Sequence, residues 1–241
     1  MLPIAQVFGF SIQTPPLAVL AGFAVALWLT ARVAPRRGLS GAVVADAVFY
    51  GALVGLLAAR AGYVALHWSA YATEPLAALI PSATALWPWS GWVAGIAFAV
   101  IYLRRKGALT GQLPDVLAPG AAVFLIGLAL AGLLNGDGFG VASDVPWAIE
   151  LWNAQRHPVQ VYEALALLVI LAILLRLLRY RLPAGAVALA FVAAYAFTRV
   201  FVDGFRADTG LVAGLRVTQL GGLAIGAMAV WLLGEVFAER R

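Results

Sequence analysis

Seven runs of about 20 predominantly apolar residues occupy most of this chain, each long enough to cross the hydrocarbon core of a bilayer as a helix. They fall at about 16–33, 43–66, 86–103, 114–135, 159–178, 184–205 and 215–236. Backbone polar groups in lipid need partners within the chain, so runs of this kind fold as helices. The expected fold is an all-α integral membrane protein, a bundle of seven transmembrane helices forming a single membrane domain over residues 1–241. Residues 1–14 are short and mildly amphipathic, and are expected to lie at the interface rather than cross it. Glycine and alanine are abundant in the spans, which lets helix backbones approach closely.

Composition agrees with this reading. Of 241 residues, 63% are hydrophobic and 11% charged, where a soluble domain carries about a quarter charged residues. The net charge of +5 does not point to nucleic acid, because the basic residues gather at segment ends, where a bilayer accounts for them. No cysteine is present, and the two histidines are His67 and His157. Disulfides, thiolate metal sites, a cysteine nucleophile and a histidine-rich metal centre are thereby excluded. No basic stretch and no small-residue cleavage site accompany the first apolar run, so that run is expected to stay in the protein.

Orientation follows from the basic residues. Arg32, Arg36 and Arg37 follow the first span, Arg104, Arg105 and Lys106 the third, Arg176, Arg179 and Arg181 the fifth, and Arg240 and Arg241 the seventh. Eleven of 16 therefore share one side, against Arg156, Arg206 and Arg216 opposite, with Arg60 and Arg199 inside spans. The positive-inside rule places the N-terminus outside and the C-terminus in the cytoplasm. The outer side carries the irregular material. Residues 67–85 hold Trp68, Tyr71, Pro75 and Pro81, with Trp87, Trp89 and Trp92 just beyond, as in an interfacial belt. Residues of about 136–157 form the longest polar stretch and are expected to make a small head loop over the outer side of the membrane.

Charge inside the sixth span is the sharpest chemical signal. Tyr195, Arg199 and Asp203 are spaced i, i+4, i+8, with Arg206 three further on, so a continuous helix puts all four on one stripe with Asp203 between two guanidinium groups. Two readings stand: a structural ion pair locking helices together, or a pocket for something anionic arriving from the lipid. Glu163, apolar on its C-terminal side, needs a partner such as Arg199, Arg206 or Arg60, and shares a face with Gln160. Arg60 either snorkels to the headgroups or points inward. Asp46 reads as an interfacial residue. Pro119 should loosen the first turns of the fourth span, and Asn135-Gly136-Asp137 reads as a helix stop and turn, or as the mouth of a cavity. Pro158 suits the first position of the fifth helix. His157 is either a base or a loop anchor. Arg216, Thr218 and Gln219 open the seventh span.

In this order the segments resemble the bacterial phosphatidylglycerol–prolipoprotein diacylglyceryl transferase family over nearly the whole length. The matching pieces are Arg60-Ala-Gly-Tyr63, Asp115 with Ala118-Pro119-Gly120, Asn135-Gly136-Asp137, His157-Pro-Val-Gln-Val-Tyr-Glu163, Tyr195…Arg199…Asp203…Arg206, and Gln219. The resemblance implies transfer of diacylglycerol from phosphatidylglycerol to the lipobox cysteine of a prolipoprotein, at the outer leaflet of the bacterial inner membrane, without a cofactor. It implies catalytic roles for Arg199, Asn135, Asp137, Asp203 and Arg206, and lipid binding by Arg60, Tyr63, His157, Gln160, Glu163 and Gln219. Its implied partners are phosphatidylglycerol or another anionic phospholipid, the prolipoprotein signal peptide and the bilayer, with no metal and no nucleic acid.

The chain also departs from the family pattern. Asp137 and Asp203 stand where glutamates are usual. The third-span histidine is replaced within Ser90-Gly-Trp92-Val93-Ala-Gly95, the fourth-span arginine within Leu128–Gly132, and a first-span tyrosine is missing near Pro15. The alternative is therefore a family-fold membrane protein without that activity, a lipid-binding subunit or small transporter serving an envelope partner.

Overall fold

The computed structural model describes residues 4–7, 10–80, 85–207, 210–212 and 215–238. Asp208, Pro81, Arg240 and Arg241 lie outside them. The fold is mostly helical, and among the described residues six helical segments are long and apolar enough to cross a membrane: Thr14–Arg37, Gly41–Leu66, Leu113–Asn135, Val159–Leu177, Ala186–Phe205 and Val217–Ala238. This is a multi-pass membrane protein. Large apolar side chains are exposed along these helices, Leu20, Leu57, Val169 and Trp231 among them, as lipid contact requires.

The chain divides into two compact units. Residues 1–37 and 111–241 form one, and residues 38–110 the other.

The larger unit opens with strands β1 (Ile4–Val7) and β2 (Phe10–Gln13), which pair antiparallel. Helix α1 (Thr14–Val33) begins with prolines in its first turn, where no donor is missed. It packs along α5 (Leu113–Asn135), and the two backbones touch: a methyl group built on Gly22 would lie 2.8 Å from Gly127 Cα. Pro119 is accommodated inside α5, which continues to Asn135 and stops where Gly136 turns left-handed at φ 81°. Helix α6 (Val159–Leu177) packs on α5 and α7 (Ala186–Val202), and α7 on α8 (Val217–Ala238).

The smaller unit holds α2 (Gly41–Leu66), the single turn α3 (Trp68–Tyr71) and α4 (Pro88–Arg105). The Ser40 hydroxyl caps α2 by accepting from the Val43 N–H at 3.4 Å. Helices α2 and α4 run antiparallel with bare backbones in contact, Gly55 against Gly91 and Gly51 against Gly95. The third expected span, 86–103, is thus helical, but its 18 residues include Trp-Pro-rich and Arg-Arg ends, which leave it less apolar than the six.

Between α5 and α6 the head loop builds a small sheet. Strands β3 (Ile149–Leu151) and β4 (Ala154–Arg156) pair antiparallel around the two-residue turn Trp152-Asn153, both at positive φ, the handedness that suits a tight hairpin. Residues 139–143 lie beside β4, the His157 N–H donating to Val141 O at 3.1 Å and the Ser143 N–H to Gln155 O at 3.0 Å. On their other side they meet the segment that follows α7: the Val141 N–H donates to Phe205 O at 2.8 Å, and the Ala207 N–H to Phe139 O at 3.0 Å. Strands β5 (Leu211–Val212) and β6 (Leu215–Arg216) then lead into α8.

Two local expectations are corrected. The stripe from Tyr195 to Arg206 is not one helix: α7 ends at Val202, residues Asp203–Phe205 tighten into a 3-10 turn, and Arg206 leaves in extended backbone with ψ 143°. Backbone pairing of 205–207 with 139–141 accounts for the break, since a strand-like partner cannot be met by continuing the helix. Pro158 sits one position earlier than expected, as the N-cap of α6 with ψ 70°, and Val159 is the first helical residue.

Candidate functional site

The polar centre of the larger unit lies at the C-terminal end of α7. Helical spacing brings Arg199 and Asp203 to one face, and α6 supplies Glu163 opposite. The Arg199 guanidinium divides its reach: Nη1 donates to Glu163 Oε1 at 3.1 Å, and Nη2 lies 2.8 Å from Asp203 Oδ1. The Tyr195 hydroxyl donates to the same Glu163 Oε1 at 2.7 Å. Glu163 is buried and Asp203 has no exposed surface, so both carboxylates depend on this arginine for compensation.

Arg206 joins more loosely, its Nε 4.0 Å from Asp203 Oδ1. Its guanidinium lies flat against Gly138, where a built methyl group would come within 2.6 Å of Nη2 and 3.1 Å of Cζ. Gly138 also has φ +66°, so both the conformation and the contact call for glycine. Neither Asp203 oxygen has a well-directed hydrogen bond among the described residues, despite the 2.8 Å approach of Arg199. That contact is charge against charge rather than an aligned donor, and Asp203 keeps acceptor capacity. Two arginines face two buried acids, so this cluster is close to neutral rather than strongly cationic.

The cluster opens into a cleft of about 330 Å³ between α7 and α8, lined by Phe191, Tyr195 and Arg199 on α7, Asp203 just after it, and Thr218 and Ile225 on α8. Apolar walls with a guanidinium at one end match the chemistry of an amphiphile with an anionic head.

The other expected site residues divide into three groups. Asn135 and Asp137 flank Gly136, and the Asn135 amide donates to Asp137 Oδ2 in a short contact. Both side chains are exposed. Gln160 is buried beside them, its Nε2 donating to Asp137 O at 2.6 Å. These three therefore border the Gly138–Arg206 contact.

His157 and Gln219 do local structural work. His157 Nδ1 lies 3.0 Å from the Tyr162 hydroxyl, its ring against Tyr162 and Phe205, and the Trp147 indole N–H donates to the same hydroxyl at 2.6 Å. Gln219 accepts from the Arg216 N–H at 3.0 Å and donates to Val200 O at 2.9 Å, tying the start of α8 to α7.

Arg60 and Tyr63 belong to the smaller unit. Among the described residues Arg60 meets no acid there; its guanidinium donates to the carbonyls of Ala77, Ala78 and Ala85 at 3.0–3.1 Å and covers the Tyr71 ring. Tyr63 stacks on His67 with centroids 4.2 Å apart. In the same unit the Tyr102 hydroxyl donates to Asp46 at 3.3 Å.

Two contributors were not given roles from sequence. Asp115 is fully buried and accepts from the Gly185 and Ala188 N–H groups at 3.1 and 2.9 Å, so it caps α7 from the neighbouring helix. An acid at the start of an apolar span was the available signal. Gly138 had none beyond its place in a glycine-rich turn. Among the described residues no group of three or more His, Asp or Glu side chains is placed to hold a metal ion.

Comparison with known proteins fits this arrangement. The profile of the prolipoprotein diacylglyceryl transferase family matches residues 3–234. The chain is 28% identical to a phosphatidylglycerol–prolipoprotein diacylglyceryl transferase of Gloeobacter violaceus, over 98% of this chain and 94% of the relative. The proteins of that name from Pseudoalteromonas translucida and Geobacter sulfurreducens are 34% and 35% identical, covering 87% and 82% of this chain and 82% and 80% of theirs. With the match running from the first strand pair into α8, the chain belongs to the prolipoprotein diacylglyceryl transferase family.

Proposed function

We propose that the protein transfers the diacylglyceryl group of phosphatidylglycerol to the lipobox cysteine of a prolipoprotein. In that reaction a thiolate attacks the terminal glyceryl carbon of the diacylglycerol, forming a C–S bond as the C–O bond to phosphate breaks. The thiol proton passes to water before attack, and glycerol phosphate departs as the dianion with both electrons of the broken C–O bond. Arg199 stabilises the departing phosphate, with Arg206 as the second cation. Glu163, Asp203 and Tyr195 hold the Arg199 guanidinium in position, so little reorganisation is needed when charge moves onto the leaving oxygen. Asn135 and Asp137 border the site at the head-loop turn.

The observation carrying this reading is Arg199, clamped by two buried acids where an apolar cleft ends. The cleft accommodates acyl chain, and the guanidinium meets the phosphate. In the proposed arrangement α4 is a seventh span, about 27 Å long at 1.5 Å per residue, close to the hydrocarbon thickness of about 30 Å. Its tryptophan and arginine ends sit at the two interfaces. The chain lies in the bacterial inner membrane as one membrane domain, with its N-terminus and the 136–157 head in the periplasm. The signal peptide of the prolipoprotein docks from that side.

A lipid-binding subunit without turnover is favoured by one feature. Ala129 is buried on α5, at the position where the resemblance expects a second phosphate-facing arginine. Complementation separates the readings. A bacterium depleted of its own transferase should grow on the wild-type chain, and expression at normal level without growth would favour the subunit.

A further inference from the structure

Gln160 carries an unexplained polar atom. Its side chain is 5% exposed, and Oε1 has no hydrogen-bond partner among the described residues. The amide orientation is fixed by chemistry: a carbonyl only accepts, so the group facing Asp137 O at 2.6 Å must be the Nε2 donor. Oε1 is thereby turned away from its one neighbour and left as a buried acceptor without a donor. Such an atom is costly in a folded chain, and each one requires an explanation.

Its position suggests what satisfies it. Gln160 lies three residues before Glu163 on α6, so both project from one face, and Glu163 holds Arg199. On the other side, Asp137 O, which Gln160 binds, is followed by Gly138, against which the Arg206 guanidinium lies. The orphan acceptor therefore shares the α6 face of Glu163, which holds one of the two arginines assigned to the phosphate, and adjoins the Asp137-Gly138 turn that the other touches. Across from it Gly132 brings no side chain, and a methyl group built there would meet Gln160 Cγ only at 3.8 Å. A phosphodiester bound by those arginines carries its headgroup alcohol within a few bonds of the phosphorus. Donors are then wanted at the phosphate and an acceptor beside it.

We infer that Gln160 Oε1 accepts a hydrogen bond from a hydroxyl of the lipid headgroup, making Gln160 a specificity-determining residue for a polyol phospholipid. This rests on the transfer reading above, and it adds what distinguishes one anionic phospholipid from another. An acceptor built for a hydroxyl rejects an analogue that lacks one, because the buried atom is then stranded. A glutamine contributes this preference without adding charge beside the phosphate.

The test compares two lipids with identical acyl chains and phosphodiester charge, phosphatidylglycerol and phosphatidylpropanol, the second without headgroup hydroxyls. Retention of each on the full-length protein is read by native mass spectrometry. The wild type should favour phosphatidylglycerol by about tenfold, the order of one hydrogen bond. The ratio should fall to near one in Gln160→Met, which preserves volume and removes the acceptor. Comparing two lipids on one preparation cancels any misfolded fraction. If Gln160→Met gives no folded protein, Gln160→Asn withdraws the acceptor by one methylene and should lower the ratio in the same direction. Equal retention by the wild type, or an undiminished preference in the variants, overturns the inference and leaves the transfer reading standing. A wild type that retains neither lipid removes the transfer reading itself, and this inference with it.

Discussion

Arg199 and Arg206 are the two cations of the site, and they are held by different means. Arg199 was legible in the sequence, because i, i+4 spacing on a helix places Asp203 beside it whatever the tertiary fold. Its second partner, Glu163, was legible as a buried acid in need of a cation, though not as the choice of Arg199 over Arg206 or Arg60. Arg206 was misread, since the stripe assumed a helix that ends at Val202, and its guanidinium instead lies against the bare face of Gly138. Gly138→Ala should therefore act through Arg206. An alanine at φ +66° costs about 1–2 kcal/mol, and its methyl group displaces the guanidinium. Turnover should fall in Gly138→Ala with the fold retained, as judged by circular dichroism. Combined with Arg206→Ala it should add little further loss, as coupled positions do. Full additivity of the two losses would show that Gly138 does not act through Arg206.

At the scale of single elements, α7 is anchored at both ends. Its C-terminal end carries the site, and its N-terminal end is capped by Asp115 from α5, about 25 Å away at 1.5 Å per residue. Removing that carboxylate leaves two part-buried N–H groups without their acceptor, at up to about 1–3 kcal/mol each. Asp115→Ala should lower the thermal unfolding midpoint in detergent, and Asp115→Asn, which keeps one acceptor, should lower it less. Equal midpoints in all three proteins would contradict the capping role. The helices themselves were readable as apolar runs, because length in a bilayer is set by its thickness. The head sheet was not. Its strands are two or three residues long and pair 139–143 with both 155–157 and 205–207, contacts too distant in sequence to leave a periodic signal. Arg60 was unreadable for a related reason: its acceptors are carbonyls, which every residue carries.

For the whole molecule, the proposed orientation, on which the site assignment depends, rests on the distribution of basic residues. Eleven of 16 lie on the side assigned to the cytoplasm. Alkaline phosphatase fused after Arg241 should remain inactive, and a fusion in the 136–157 loop should be active. The reverse pattern would put the arginines of the site against the wrong leaflet. The most direct test of the central claim is lipid transfer by the purified chain, given phosphatidylglycerol and a lipobox peptide, with the peptide mass as readout. The wild type should add one diacylglyceryl group. Arg199→Ala should lower the rate about 100- to 1000-fold, and Arg199→Lys should recover little, because a point charge cannot span Glu163 and Asp203 as the planar fork does. No lipidated peptide from the wild type while a family relative works alongside it, or an undiminished rate in Arg199→Ala, would contradict the account.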